Sequence, residues 1–179
     1  MFDKFNKLVL DRQSCRDFND KQLEQETVEE IIRLSLLAPS ACNSQPWKIY
    51  AVTAKDKLPA ISESLQDRGM NAFASGAKAF IVIAEKDATL KERVSTRFDR
   101  NHFVKYDIGE LVAYITLAAE SKGVASCILG WINQEKLKSA VNLADGEVAN
   151  IVIALGYTDI PKRAKVRKDE SEVVLYVKD

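Results

Sequence analysis

Apolar positions recur along this chain with two periods, and the period changes from segment to segment. In "FNKLVL", residues 5–10, Phe5, Leu8 and Val9 fall on one side of a short helix. Over residues 26–38, Val28, Ile31, Ile32 and Leu36 recur at helical spacing behind a first turn of acids, and Pro39 ends the helix. "WKIYAVTA", residues 47–54, alternates and is rich in β-formers, which predicts a strand. "KDKLPAISESLQD" predicts a helix with Pro59 near its first turn. "KAFIVIAE", residues 78–85, is a continuous apolar run of strand length, as expected of a strand covered on both faces.

The longest helix is predicted from about Asp107 to Lys122, with Ile108, Leu111, Val112, Ile115 and Ala119 inside and Gly123 as its stop. "VASCILGW" reads as the next strand, then a helix "QEKLKSAVNL" capped by Asn133, then a buried strand "EVANIVIALGY". The tail departs from this order. "TDIPKRAKVRK" is basic and irregular, yet "EVVLYVK", residues 172–178, has the pattern of a further strand. A strand set apart by a polar arm pairs either with the edge of its own sheet or with a second copy of the chain. These elements give an α+β fold, one domain over residues 1–179 with about four or five strands, and no internal repeat.

Composition narrows the function. Lys plus Arg equals Asp plus Glu, 26 each, so the net charge is zero and a nucleic-acid partner is not expected. The start lacks the apolar core of a secretion signal, and no apolar run is long enough to span a membrane, so a cytoplasmic protein is expected. The three cysteines, Cys15, Cys42 and Cys127, lie far apart and suggest neither a metal site nor a redox pair. His102 is the only histidine, so any histidine-based nucleophilic mechanism would depend on it alone. The seven glycines include neither GxGxxG nor GxxxxGK[ST], so no glycine loop is available to cradle a phosphate.

Local chemistry is concentrated in four places. Arg12, Ser14 and Arg16 in "DRQSCRDF" stand two residues apart and share a face of an extended backbone, a grip for an anion or simply exposed surface charge. Lys162, Arg163, Lys165, Arg167 and Lys168 form a second basic cluster in which Lys165 and Arg167 alternate in the same way. In "LAPSACNSQPWKIY", two prolines bracket Ser40, Asn43, Ser44 and Gln45, a segment suited to reading a planar heterocycle or to closing a capped turn. Gly130 ends a predicted strand, where a glycine permits either close approach of a ligand or a tight turn. Residues 90–106 carry Arg93, Arg97, Arg100, His102, Phe103 and Tyr106, an ordinary solvated helix or a basic rim for anionic partners.

Taken in order, these pieces resemble the FMN-dependent nitroreductase family. "RQSCRDF" matches its R-x-S-x-R-x-F/Y opening, and "APSACNSQPW" its A-P-S-x-x-N-x-Q-P-W/F signature. "YDIGELVAYITLAAESKGVASCILGW" matches its long helix and G-x-x-S-C-x-x-G run, and "IALGYTD" with "AKVRK" its ending. Thr158 stands where proline is usual, and Cys42 where a small or polar residue is usual. The resemblance implies a central mixed or antiparallel sheet of about four strands flanked by helices, with the C-terminal strand exchanged to the partner subunit of a homodimer. It implies FMN at the dimer interface, NAD(P)H as electron donor, and nitroaromatics, quinones or similar small molecules as acceptors in a ping-pong scheme. By the same resemblance Arg12, Gln13 (through its backbone), Ser14, Arg16, Asn71, Leu129, Gly130, Lys165 and Arg167 bind the cofactor. Pro39, Ser40, Ala41 and Asn43 reach it from the partner subunit, and Arg16 and Lys165 stabilise reduced flavin. Other functions on this resemblance are a flavin carrier or redox sensor with little turnover, and a same-fold dehalogenase or ene-type reductase.

Overall fold

A computed structural model of the chain describes residues 1–178. Four strands, β1 (Trp47–Val52), β2 (Ala79–Glu85), β3 (Ala125–Leu129) and β4 (Val148–Gly156), form one sheet in the order β1-β2-β4-β3, each neighbouring pair antiparallel. Around it lie α1 (Phe2–Asp11), α2 (Gln25–Ser35), α3 (Leu58–Leu65), α4 (Glu92–Ser95), α5 (Val104–Ser121), α6 (Gln134–Val141) and α7 (Glu170–Val173).

The continuous apolar run of β2 has a plain cause. Ala79, Ile81 and Ile83 enter one core with Val28 and Ile31 of α2 and Ile108, Leu111 and Ile115 of α5. Phe80, Val82 and Ala84 enter a second core with Ile61 and Leu65 of α3 and Leu137 of α6. Both faces are therefore covered, and each large side chain so buried contributes about 1.5–3 kcal/mol. β4 shares the double burial, and its register against β2 shifts between Ile83 and Ala84, which pair with Ile151 and Ala149. Asn150 is the extra residue of this bulge. The shift explains why Ala149 and Val152, of opposite parity, share one core.

The long helix α5 buries all five residues predicted for its inner face, and Gly123, at φ +69°, releases the chain from it. The 11–18 segment is laid along the β3 edge by a single parallel bridge, Ser14 to Ser126, in which the Cys15 N–H donates to the Ser126 carbonyl at 2.8 Å. Its alternation is real: Gln13 and Cys15 are buried, while Arg12, Ser14 and Arg16 face outward. Phe18 anchors the segment by lying on Gly156, where an added Cβ would sit 2.8 Å from the Phe18 ring.

At one end of the sheet, Glu147 is a buried charge with a full set of partners. It accepts from the Tyr50 hydroxyl, from the Ala144 N–H at 3.0 Å, and from Lys48 and Lys86 at 3.2 Å each. The Tyr50 hydroxyl, with the Ala144 N–H and the two ammonium groups, outweighs burial and holds its carboxyl down at about 2.

Three segments of the single chain differ from their predicted patterns. Residues 172–178 form no strand in the single chain: α7 is one helical turn closed by a capping box from Asp169 and Glu172, and Val173, Val174, Leu175, Tyr176 and Val177 are exposed. A strand requires a ladder partner, and no edge of this chain's own sheet takes the segment. Leu36 lies past the end of α2 and is exposed rather than packed. Residues 90–106 hold only the single turn of α4 before turns lead into α5: Asp99 Oδ1 accepts from the Asn101 N–H at 2.9 Å, which competes with helix hydrogen bonds, and the Asn101 side chain donates away from the segment to Asp87 at 3.0 Å. In contrast, α1 is a helix as predicted but buries none of its residues, leaving Phe2, Phe5, Val9 and Leu10 exposed.

Two measurements follow. Gly156→Ala forces Phe18 to move and is expected to destabilise the fold by about 1–3 kcal/mol in denaturant unfolding; unchanged stability would dissociate Phe18 from this contact. A carboxyl whose folded pKa is depressed adds stability that is complete above its ordinary value of 4.5 and is lost as pH falls through about 2. Glu147→Gln should therefore lower stability at neutral pH by about 1–3 kcal/mol and flatten the acid limb of the stability-versus-pH curve.

Candidate functional site

The two ends of the chain meet beside β3. Arg12, Ser14 and Arg16 from the N-terminal segment and Arg163, Lys165 and Arg167 from the tail line one cleft of about 400 Å³, with no carboxylate in its wall among the described residues. The guanidinium groups of Arg12 and Arg16 make no hydrogen bond or ion pair among the described residues. Lys165 donates to the Arg12 carbonyl, which places one ammonium against the root of a guanidinium-bearing residue. Burial first, and then the neighbouring Arg12 and Arg167, hold the Lys165 ammonium below the usual lysine range. Like charges so gathered leave a local positive potential that an anion relieves.

A second, largely apolar groove of about 520 Å³ adjoins this cleft and shares Arg12, Lys165 and Arg167 with it. Its other walls are Val9 and Leu10 of α1, the outer face of α5 from Gly109 to Leu117, and Ile128 of β3. Gly109 is a glycine in a helix interior, which costs roughly 1 kcal/mol relative to alanine, yet a Cβ there would meet nothing within 4 Å. Nothing in the chain's own packing calls for it.

The loop of residues 38–46 is held elsewhere, over the first turn of α5. The Ala41 N–H donates to Asp107 Oδ1 at 2.9 Å, and the Gln45 N–H donates to Ser40 Oγ at 2.9 Å. Cys42, Asn43 and Gln45 all take left-handed backbone conformations, a costly run for non-glycine residues and of the kind found at binding sites. Pro39 and Asn43 are exposed, Ser40 and Ala41 half-buried. Asp107 is buried, and its Oδ2 has no hydrogen-bond partner among the described residues. Asn71, also left-handed, donates to the Leu65 carbonyl at 3.1 Å. Asn133, just after the β3 end, meets the same end of α3 through the Ser64 carbonyl at 2.8 Å. Leu129 is buried, Gly130 is exposed, and a Cβ on Gly130 would touch only the Asn150 carbonyl, at 3.8 Å.

The structure thus brings Arg12, Gln13, Ser14, Arg16, Lys165 and Arg167 to one cleft, ties Asn71 to the end of α3, and leaves Leu129, Gly130, Pro39, Ser40, Ala41 and Asn43 outside the cleft's wall. Sequence reasoning placed Arg163 in the basic cluster but not in the cofactor-binding set, although Arg163 extends the Lys165–Arg167 alternation by one step, and it missed Asp107. Asp107 reads in sequence as an ordinary acid in a first helical turn, and only the fold shows what it holds.

Comparison with known proteins bears on the family and the fold. The sequence profile of the nitroreductase family matches residues 9–157. A protein of Archaeoglobus fulgidus named as an NADH dehydrogenase/NAD(P)H nitroreductase is 29% identical over 155 residues, which is 84% of this chain and 83% of that one. An oxygen-insensitive NADPH nitroreductase of Helicobacter acinonychis is 24% identical across 98% of this chain and 97% of its own. Among solved structures, a nitroreductase family protein of Streptococcus pneumoniae superposes with a TM-score of 0.82 at 20% identity, covering 97% of this chain and 100% of that one. With the profile matching five-sixths of the sequence and the fold shared from end to end, this chain belongs to the nitroreductase family of oxidoreductases.

Proposed function

We propose that the chain is an FMN-dependent reductase that draws electrons from NAD(P)H and passes them to nitroaromatics, quinones or similar small acceptors, and that it works as a homodimer. The observation that carries this reading is the carboxylate-free cationic cleft built from both chain ends. A phosphate carrying roughly −1.5 to −2 charge matches Arg12, Arg16, Lys165 and Arg167, with the Ser14 hydroxyl as a further donor. A solved relative of Clostridium difficile, matched at a TM-score of 0.75 and 24% identity, is named an FMN-dependent nitroreductase. Gly130, whose missing Cβ would meet only the Asn150 carbonyl at 3.8 Å, suits close approach of a flat ring.

When bound, the flavin supplies the redox chemistry, with donor and acceptor using it in turn. The protein's share is to bind, orient and balance charge. Arg12, Arg167 and Ser14 hold the phosphate end. Arg16 and Lys165 carry positive charge that offsets negative charge gained at the cofactor. Asn71 and the Leu129–Gly130 turn line the ring side. No proton transfer has to pass through His102, whose ring clusters with those of Phe98 and Phe103, at centroid distances of 4.9 and 4.7 Å.

A second copy supplies what the single chain lacks. Its 39–43 loop, stiffened by Asp107, is the segment proposed to complete the cofactor site across the interface. The exposed apolar faces of α1 and α5 and the bare 173–177 segment are the surfaces that such a copy would cover. The expected arrangement lays the tail segment on the partner.

The purified protein should be yellow, bleach anaerobically with NADH or NADPH, and regain colour on adding a nitroaromatic; colourless protein that ignores added FMN would remove the reading. Arg16→Ala should weaken FMN binding by about tenfold or more, followed by quenching of flavin fluorescence. Deleting residues 170–179 should shift sedimentation toward monomer, and a truncated chain that remains as dimeric as the full one would contradict the exchanged arm.

A further inference from the structure

Gln13 holds the tail with both ends of its side chain. The residue is 8% exposed, so its amide would be costly to leave without partners. Its Oε1 accepts from the Arg163 backbone N–H at 3.1 Å and from Arg163 Nε at 3.3 Å, and its Nε2 donates to the Pro161 carbonyl at 3.4 Å. Arg163 in turn donates from Nη2 to the Ser14 carbonyl at 2.8 Å. Its fork is thus spent on Gln13 and on backbone rather than aimed at the cleft, although its stem lines the wall.

Little else keeps the tail in place. The Lys162–Glu120 ion pair, at 2.5 Å, joins side chains that are 44% and 12% exposed, and such pairs contribute little. The Lys165 contact to the Arg12 carbonyl works against the repulsion of Arg12 and Arg167. Residues 168–178 are exposed. A tail carrying several cations, set beside two more arginines, stays docked only if something neutral and directional ties it.

We infer that Gln13 and Arg163 are positioning residues that dock the basic tail onto the 12–16 segment, so that Lys165 and Arg167 share one cleft with Arg12 and Arg16. Cofactor retention then depends on tail docking, and occupancy of the cleft in turn favours the docked tail. The inference rests on reading the cleft as the cofactor's phosphate site. It also distinguishes Arg163 from its basic neighbours: Arg163 acts by geometry, and they act by charge. A lysine cannot reproduce two divergent contacts from a planar fork.

The test compares the full-length chain with Gln13→Met, Arg163→Lys and Arg163→Met. FMN affinity is read by fluorescence quenching, and tail docking by amide hydrogen exchange over residues 161–168. Gln13→Met removes no charge and Arg163→Lys keeps it, yet both should weaken FMN by about tenfold or more and speed tail exchange, with Arg163→Lys as damaging as Arg163→Met. Wild-type affinity in Arg163→Lys would make Arg163 a plain charge and overturn the inference. So would lost affinity in Gln13→Met with tail exchange unchanged, since Gln13 would then touch the ligand itself. If Gln13→Met fails to fold, the exposed Arg163 variants decide alone. Should the wild-type chain bind no FMN, the proposed function fails instead, and tail exchange by itself judges the tie: faster exchange in the variants upholds it, equal exchange overturns it.

Discussion

Like charges repel, and this fold holds at least four of them together at one edge of its sheet. Arg12 and Arg16 are fixed because their segment is bridged to β3 and anchored by Phe18 on Gly156. Lys165 and Arg167 come from the other end of the chain and are brought in by hydrogen bonds to neutral groups, the amide of Gln13 and the carbonyls of Arg12 and Ser14. Burial first, and then the neighbouring Arg12 and Arg167, keep the Lys165 ammonium below the usual lysine range. The binding free energy of an anion at such a place includes the repulsion it removes.

The sheet makes this possible by being rigid where the site is attached. β2 and β4 are buried on both faces, and the helices that cover them, α2 and α5 on one side and α3 and α6 on the other, pin the sheet between two cores. β3 is the edge strand, so its outer side is free to take the 11–18 segment and to present Ile128 to the apolar groove. The cationic cleft is thus an attachment to the edge of a sheet rather than an opening within a core. The adjoining groove, the bare face of α1 and the helix-interior glycine at residue 109 belong to the same side of the molecule. Together they leave a connected apolar surface uncovered on that side.

The distribution of titratable groups fits chemistry carried by a cofactor. The single histidine sits among aromatic rings away from the cationic cleft. The strongest carboxylate network, around Glu147, serves the far end of the sheet, where it ties β1 and β2 to the turn before β4. Asp107 is spent on the Ala41 N–H and so on the shape of the 38–46 loop. What remains at the cleft is fixed positive charge, hydrogen-bond donors and shape.

Most of the framework was legible in the sequence because periodicity reports burial. The double-sided strand at residues 78–85, the inner face of α5 and the outward set Arg12, Ser14 and Arg16 each follow from which positions a helix or an extended chain brings together. The motifs around residues 12–18, 37–46 and 124–131 carried the family likewise. Three matters lay outside that logic. Residues 172–178 have strand-forming side chains, but a strand exists only where a ladder partner does, and the single chain offers none. Nothing local marks Gln13 as a buried tie or Arg163 as its counterpart, since their partnership spans about 150 residues of sequence. The same holds for Asp107 and Ala41. Sequence fixes which side chains are available and which way short segments face. Only the folded chain decides which distant polar groups must satisfy one another, because that choice is made by burial, and burial is a property of the whole.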